Sequence, residues 1–559
     1  MPQSLFAPSV RLDPRRPPPA GYYADNLLTV IEAVLEGYGD ILTDEEREFG
    51  LRIRALAPQA QRLLARLLGR VSARDGAIRE DSLDYAEVAD LTGALAELAS
   101  RGLIERCPAM PAGAVVGLLT RPEMQRVFWD VDGARKGTKT DHLERILAVN
   151  PPAFCRWRVR RFVGWLRFTQ SAFLDLYRLL FFGEGSKDLT TFVLRDLGVH
   201  LYERVTLARE TRAFPDREAL GRFLDLAAAD DEIRRLFPMR GVDCEAPDET
   251  DRQTAIADLL RRLWVPLDNR MLERRRCRVL NRLGRNLERE GDFDGALACY
   301  GRSALVPARE RRMRILHRLG DGEGVESLRA AVLDSPWAAL EADFARRFAR
   351  RFRRRAAPVE DLVITGSAAG IEAQALAHLT SEGGVGWHLE NHLPMGVFAL
   401  AYWSWLFAPV EGAFVNAFQT GPVDLYWPDF FNAREGICED PLDGTLSPDL
   451  RETAAAKAGI ANRLFSWRRF TAEVIDAVTA NIPEADLKAL VKIVRDDLAG
   501  KRSGFPDLTV IYGPGRYEFV EVKGPGDQLQ IHQRLWIEAL EERGLPVRVL
   551  RYRRGAPCG

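Results

Sequence analysis

Only seven cysteines occur in 559 residues, and Cys107, Cys155, Cys244, Cys277, Cys299, Cys438 and Cys558 form neither a Cys-x-x-Cys pair nor an even framework. That argues against a zinc finger and a disulfide scaffold, and for a reducing cytosol. Long apolar runs are equally scarce. Even Val397 to Val410 is short and interrupted by Pro409, so no segment reads as membrane-spanning. Met1 to Ala20 is rich in Pro and Arg and has no apolar centre, unlike a secretion signal. An excess of charge of either sign is missing too: with a formal net charge of −1, any polyanion must be held by local basic patches. The length exceeds what one hydrophobic core normally supports, so several domains are expected.

Two strings near the carboxyl end carry chemistry. Gly504-Phe505-Pro506-Asp507 is followed by Glu521-Val522-Lys523. Leu508 to Tyr512 is apolar and β-branched, Gly513-Pro514-Gly515 signals a turn, and Arg516 to Lys523 resumes as a strand that Gly524-Pro525-Gly526 ends. The spacing predicts a β-hairpin with Asp507 and Glu521 side by side at one end and Lys523 on the face of Glu521. Two carboxylates offer the hard oxygens that Mg²⁺ or Mn²⁺ prefer, and the Val522 carbonyl is a further candidate ligand. Lys523 would orient or help deprotonate a water and offset charge on a pentavalent phosphate, which is metal-assisted phosphodiester hydrolysis. The bland alternative for Lys523 is a solvated residue at a strand end.

Gln528 to Arg543 then reads as a helix with Leu529, Leu535, Trp536, Ile537, Ala539 and Leu540 as its apolar stripe, and Val547 to Tyr552 as a last strand. This order, with Pro506-Asp507, Glu521-Val522-Lys523-Gly524-Pro525, and Gln533 three residues before Trp536, resembles the VRR-type nuclease domain of the PD-(D/E)xK superfamily. The resemblance implies a restriction-endonuclease-like α/β fold, Mn²⁺ or Mg²⁺ as two ions per site, a supporting role for Gln533, and a further acid from upstream. In the Fanconi-associated nuclease family that acid follows a Gly-x-His-x-Glu-like pattern, here Gly386-Trp387-His388-Leu389-Glu390, so Glu390 is the expected ligand and catalytic acid. Glu372, near the start of a helical run from Ile371 to Leu379, resembles a neighbouring family acid that supports the ligands or a second ion; it reads equally well as an ordinary first-turn carboxylate. A strongly apolar helix is expected from Val397 to Phe407. Zinc is the rival reading of His388 and His392, but zinc hydrolases carry the Glu directly after the first His of a helical pair; the alternative is two polar contacts beside Glu390.

Upstream, helices are expected over Leu27 to Leu35, Glu45 to Leu56, Pro58 to Leu68 and Tyr85 to Ser100. Thr120 suits a helix cap with Pro122 in the first turn and Met124, Val127 and Phe128 on one face. The basic turn Gly133 to Lys139 then leads into a helix over Asp141 to Ala148. Helix, basic loop and helix is similar to the SAP-type DNA-binding fold, with Arg135, Lys136 and Lys139 as phosphate contacts, or else it is a solvated loop. Cys155 to Phe162, with Arg156 and Arg158, and Arg346 to Arg355 interleave cations with aromatics, which suits stacking on unpaired bases or an amphipathic helix, the latter favoured by Phe344, Phe348 and Phe352. Val279 to Ala304, with its Gly291-Asp292 turn, resembles a tetratricopeptide hairpin, continued helically by Arg309 to Leu319 and Val325 to Leu333.

The expected architecture is therefore multi-domain and mostly α: a helical region over 1–110, a SAP-like region over 111–170, a tetratricopeptide-like region over 171–365 and an α/β nuclease domain over 366–559. This order is similar to bacterial members of the Fanconi-associated nuclease family. It implies a DNase that cuts 5′ flaps and other branched DNA, degrades 5′ to 3′ and serves interstrand crosslink repair, acting at the nucleoid. The ubiquitin-binding finger of animal members lacks its cysteines here. A junction resolvase or restriction-like enzyme would use the same core, and a non-catalytic DNA-binding scaffold is the reading without enzyme activity.

Overall fold

The structure is a computed structural model that describes residues 21–70, 76–132, 136–183, 201–238, 248–349, 359–364, 370–381 and 383–554. Arg135 and the run Arg350 to Arg355 lie outside the described residues. The chain divides into two compact units, Met1–His200 and Leu201–Gly559.

In the first unit, helices span Tyr22–Tyr38, Asp44–Arg54, Pro58–Arg70 and Leu91–Ser100. The last starts later than the sequence pattern suggests, because the Asp90 carboxylate accepts from the Gly93 amide at 2.8 Å and caps it there. The unit is not purely helical as expected. Strands β1 (Ile78–Arg79), β2 (Ile104–Arg106) and β3 (Trp165–Phe168) form an antiparallel sheet in the order β1-β3-β2. Each is too short to show alternation, and β3 comes from a distant part of the chain, so no local pattern announces them. Helices Arg121–Val127, Lys139–Val149 and Pro152–Arg160 pack around buried Val115, Met124, Phe128, Ile146, Val159 and Trp165. Thr120 caps as anticipated, its own amide held by Glu123 at 2.7 Å.

The second unit begins with helices from Arg217–Leu236 through Ala339–Arg347. Arg270–Glu290 and Phe293–Gly301 join at Gly291 (φ +89°), and Asp292 caps the second helix through the Gly295 amide at 2.9 Å. Gly284 allows their close crossing, since a Cβ there would stand 3.0 Å from that of Cys299. The same turn recurs at Gly320 and Asp321, before the helix Gly322–Asp334.

The carboxyl-terminal part holds a mixed five-stranded sheet of β4 (Val359–Ile364), β5 (Val385–His388), β6 (Leu508–Gly513), β7 (Arg516–Lys523) and β8 (Val547–Arg554), in the order β4-β8-β7-β6-β5. The helix Ile371–Leu379 covers the face of Leu508, Val510, Val520 and Val522. Phe519 and Ile511 face the other way, into a core with helices His392–Ala401, Glu484–Asp496 and Ile531–Glu542. The expected Val397 to Phe407 helix is thus earlier and split, with a separate turn over Trp403–Leu406. Pro394 falls in the first turn, where its missing N–H has no intrahelical partner to forgo, so the helix starts ahead of it.

Candidate active site and family

The loop that delivers Asp507 is held from three sides. Gly504 adopts φ +94°, and a Cβ there would lie 2.7 Å from the His532 backbone, so only glycine passes this close to the helix Ile531–Glu542. Phe505 packs edge-on to Phe519 and Trp536, each at 5.0 Å between centroids, and its amide donates to Asn391 Oδ1 at 3.0 Å. Pairing of Leu508 with Val520 then sets Asp507 opposite Glu521. The Val522 amide donates to Asp507 Oδ2 at 2.8 Å, tying the carboxylate to the neighbouring strand.

Glu521 is almost wholly buried, at 1% exposure. Its Oε1 lies 2.8 Å from Lys523 Nζ and accepts from Gln533 Nε2 at 2.5 Å, whereas Oε2 is buried with no hydrogen-bond partner. Burial, and then the Asp507 carboxylate, push the Glu521 acid up to about 7, against the pull of Lys523. Burial raises Asp507 as well, opposed by the Val522 amide and Lys523. An orphaned buried carboxylate oxygen beside a second carboxylate lacks positive charge, and a divalent cation fits that need.

β5 brings the other acid. Glu390 follows it at φ +46°, a left-handed conformation that costs a non-glycine residue free energy and that concentrates at functional sites. The Glu390 amide donates to the Asp507 carbonyl at 3.2 Å, and His388 Nε2 lies 2.9 Å from Glu390 Oε1. Among the described residues, His388, Glu390 and Asp507 can bring one ligand atom each within 4.8 Å of the others. The zinc geometry is absent: His388 ends a strand and His392 opens a helix, so the pair does not share a helical face. Burial, then Arg469, lowers His392.

Glu372 is in the first turn of the helix on the opposite sheet face and outside that trio. In the first unit, Lys136 and Lys139 are exposed, with Lys139 Nζ donating to the Gly117 carbonyl at 2.6 Å. Arg156 reaches the Met110 carbonyl at 3.5 Å, and Arg158 pairs with Asp130 at 2.8 Å, leaving each arginine partly engaged within the fold. The sequence reading missed Asn391 and gave His388 as a zinc candidate or a polar contact beside Glu390; the Gly-x-His-x-Glu string abuts Asn391 and contains His388.

The Glu521 shift has a testable sign. Its folded value lies above the ordinary 4.5, so the folded chain holds the proton more tightly and loses stability as pH rises from about 4.5 through 7. In chelated protein, Glu521→Gln should gain on the wild type by on the order of 3 kcal/mol across that window, from about 1.4 kcal/mol per unit. Urea unfolding from pH 5 to 8 measures the difference; a pH-independent one would disprove the burial argument, and Mn²⁺ should restore the wild type at pH 7.5.

Comparison with known proteins agrees with this geometry. The profile of the VRR-NUC domain matches residues 443–553, and that of the FAN1 HTH domain matches 21–105. A Fanconi-associated nuclease 1 homolog of Pseudomonas aeruginosa is 30% identical over 94% of this chain and 95% of its own length. The Homo sapiens Fanconi-associated nuclease 1 is 24% identical over 94% of this chain, which spans 62% of that longer protein. The crystal structure of paFAN1 bound to 2nt 5′ flap DNA with gap has a TM-score of 0.78 and 29% identity, covering 97% of this chain and all of that one. A second, bound to 1nt 5′ flap DNA with gap, has a TM-score of 0.76 and 28% identity. With a relative this similar along nearly its whole length, the chain belongs to the Fanconi-associated nuclease family.

Proposed function

We propose that this nuclease is a divalent-metal-dependent, structure-specific DNase that cuts 5′ flaps and other branched DNA, as a 5′ flap endonuclease and 5′-to-3′ exonuclease, in interstrand crosslink repair. The observation that carries the reading is the meeting of Asp507, Glu521 and Lys523 with Glu390 and His388 at one end of the sheet. The flap DNA in the related crystal structures supports the substrate. Asp507, Glu521, Glu390 and the Val522 carbonyl would hold Mg²⁺ or Mn²⁺, with His388 as a further donor and Glu372 in a supporting role outside the ligand cluster. Such an ion, when bound, polarises a phosphoryl oxygen and acidifies coordinated water. Gln533 holds Glu521 in place, and Lys523 orients the water and offsets the charge that develops on the phosphate.

The order of helical, SAP-like, tetratricopeptide-like and nuclease regions belongs to the same proposal. End-labelled flap, fork and four-way-junction DNAs with Mg²⁺, Mn²⁺ or chelator provide the test. Preferred cutting near flap junctions is expected. Symmetric nicking of four-way junctions would instead make the chain a resolvase, and no cleavage with either metal would leave a scaffold.

For DNA positioning, Arg135, Lys136 and Lys139 are assigned to backbone phosphates. Replacing all three by alanine should weaken binding equally across sequences and flatten its salt dependence, by a slope of roughly 0.9 for each phosphate no longer neutralised. Unchanged affinity with altered unfolding would make this block purely structural.

A further inference from the structure

Two cavities of the second unit meet at Ile531. One, of about 660 Å³, is lined by Lys523 and the turn Gly526 to Gln530. The other, of about 390 Å³, is large enough for a nucleotide and is the one without an assigned role. Leu340, Phe344 and Ile531 supply its apolar surface, and Arg314, Arg347, Arg534 and Glu310 its polar groups.

The arginines are braced. Arg314 lies 4.7 Å over the Phe344 ring and pairs with Glu310 at 2.9 Å. Arg347 pairs with Asp343 at 2.7 Å, and Arg534 Nε donates to the Leu529 carbonyl at 3.1 Å. Each contact uses part of a guanidinium that has five N–H donors, so each cation is oriented with donors to spare. The cavity therefore suits a flat, largely apolar group with a hydrogen-bond donor for Glu310, joined to an anion for the arginines. A nucleotide has both parts. The neighbouring cavity reaches Lys523, and Arg534 directly follows Gln533, which holds Glu521.

We propose that this cavity receives one unpaired nucleobase of the strand being cut, with its flanking phosphate held by Arg314, Arg347 and Arg534; the proposal rests on the nuclease reading above. Glu310 disfavours a bare phosphate and rewards a base that offers N–H groups, while Leu340, Ile531 and the small exposed part of Phe344 give the base an apolar contact.

An abasic residue walked along both sides of the cut in a flap substrate tests this with the full chain and Mg²⁺ or Mn²⁺. One position should raise KM by about fivefold or more, the range expected when a bound base loses its contacts. In Phe344→Leu and in Arg534→Met that penalty should shrink while penalties elsewhere persist. Should Phe344→Leu misfold, Arg534→Met alone decides, together with 2-aminopurine at the same position, whose fluorescence should change on binding to metal-free wild type and not to the variant. A flat scan in an active wild type, or penalties that add in full, would overturn the subsite and leave the nuclease intact. A wild type that cuts nothing overturns the nuclease reading and this subsite with it.

Discussion

Asp507→Ala and Glu521→Ala should each lower cleavage of a flap substrate by about 10³-fold or more, since several kcal/mol of transition-state charge stabilisation go with the missing carboxylate. DNA affinity should stay near the wild-type value, because only metal ligands are lost and the basic groups that contact DNA elsewhere remain. Lys523→Ala should impair cleavage comparably but keep metal affinity, as the amine is placed beside the carboxylate and is not a ligand. Single-turnover kinetics with Mn²⁺ titration separates the two behaviours. Substantial residual rates in both carboxylate variants would move the active site elsewhere. Glu521 carries the sharper expectation: its orphaned Oε2 leaves the buried site short of positive charge until a cation arrives.

Glu390→Gln should weaken metal binding and cleavage by about 10²-fold, well beyond Glu372→Gln, because only Glu390 shares the ligand cluster with Asp507. The substitution keeps the side chain's size, so the left-handed turn at φ +46° need not move. Isothermal titration with Mn²⁺, together with cleavage rates, ranks the two variants. The reverse order would transfer the role to Glu372, on the helix that packs against the other face of the sheet.

Much of the site was legible along the chain because it is built from local rules. Glycine-rich turns bounded β6 and β7, and period-two alternation put Glu521 and Lys523 on one face. The helix over Ile371–Leu379 and the Gly291-Asp292 turn followed from apolar spacing and caps, which act within a few residues. Strands β1 to β5 were not legible: their partners lie far along the chain, and two to six residues carry too little pattern of their own. The repeat of the glycine-aspartate turn at Gly320 was visible and went unread.

The sequence by itself determined which groups do the chemistry: two carboxylates and an amine at hairpin spacing, and a third acid in a recognisable string. Tertiary structure decided what those groups feel. Residues more than a hundred positions apart, Glu390 and Asp507, meet through one backbone hydrogen bond, and His388 joins them because β5 pairs with β6. Burial under the core that surrounds Phe505 and Trp536 makes Glu521 a weak acid with an unsatisfied oxygen. Desolvation depends on everything packed around a group, most of it remote in sequence, so no motif records it.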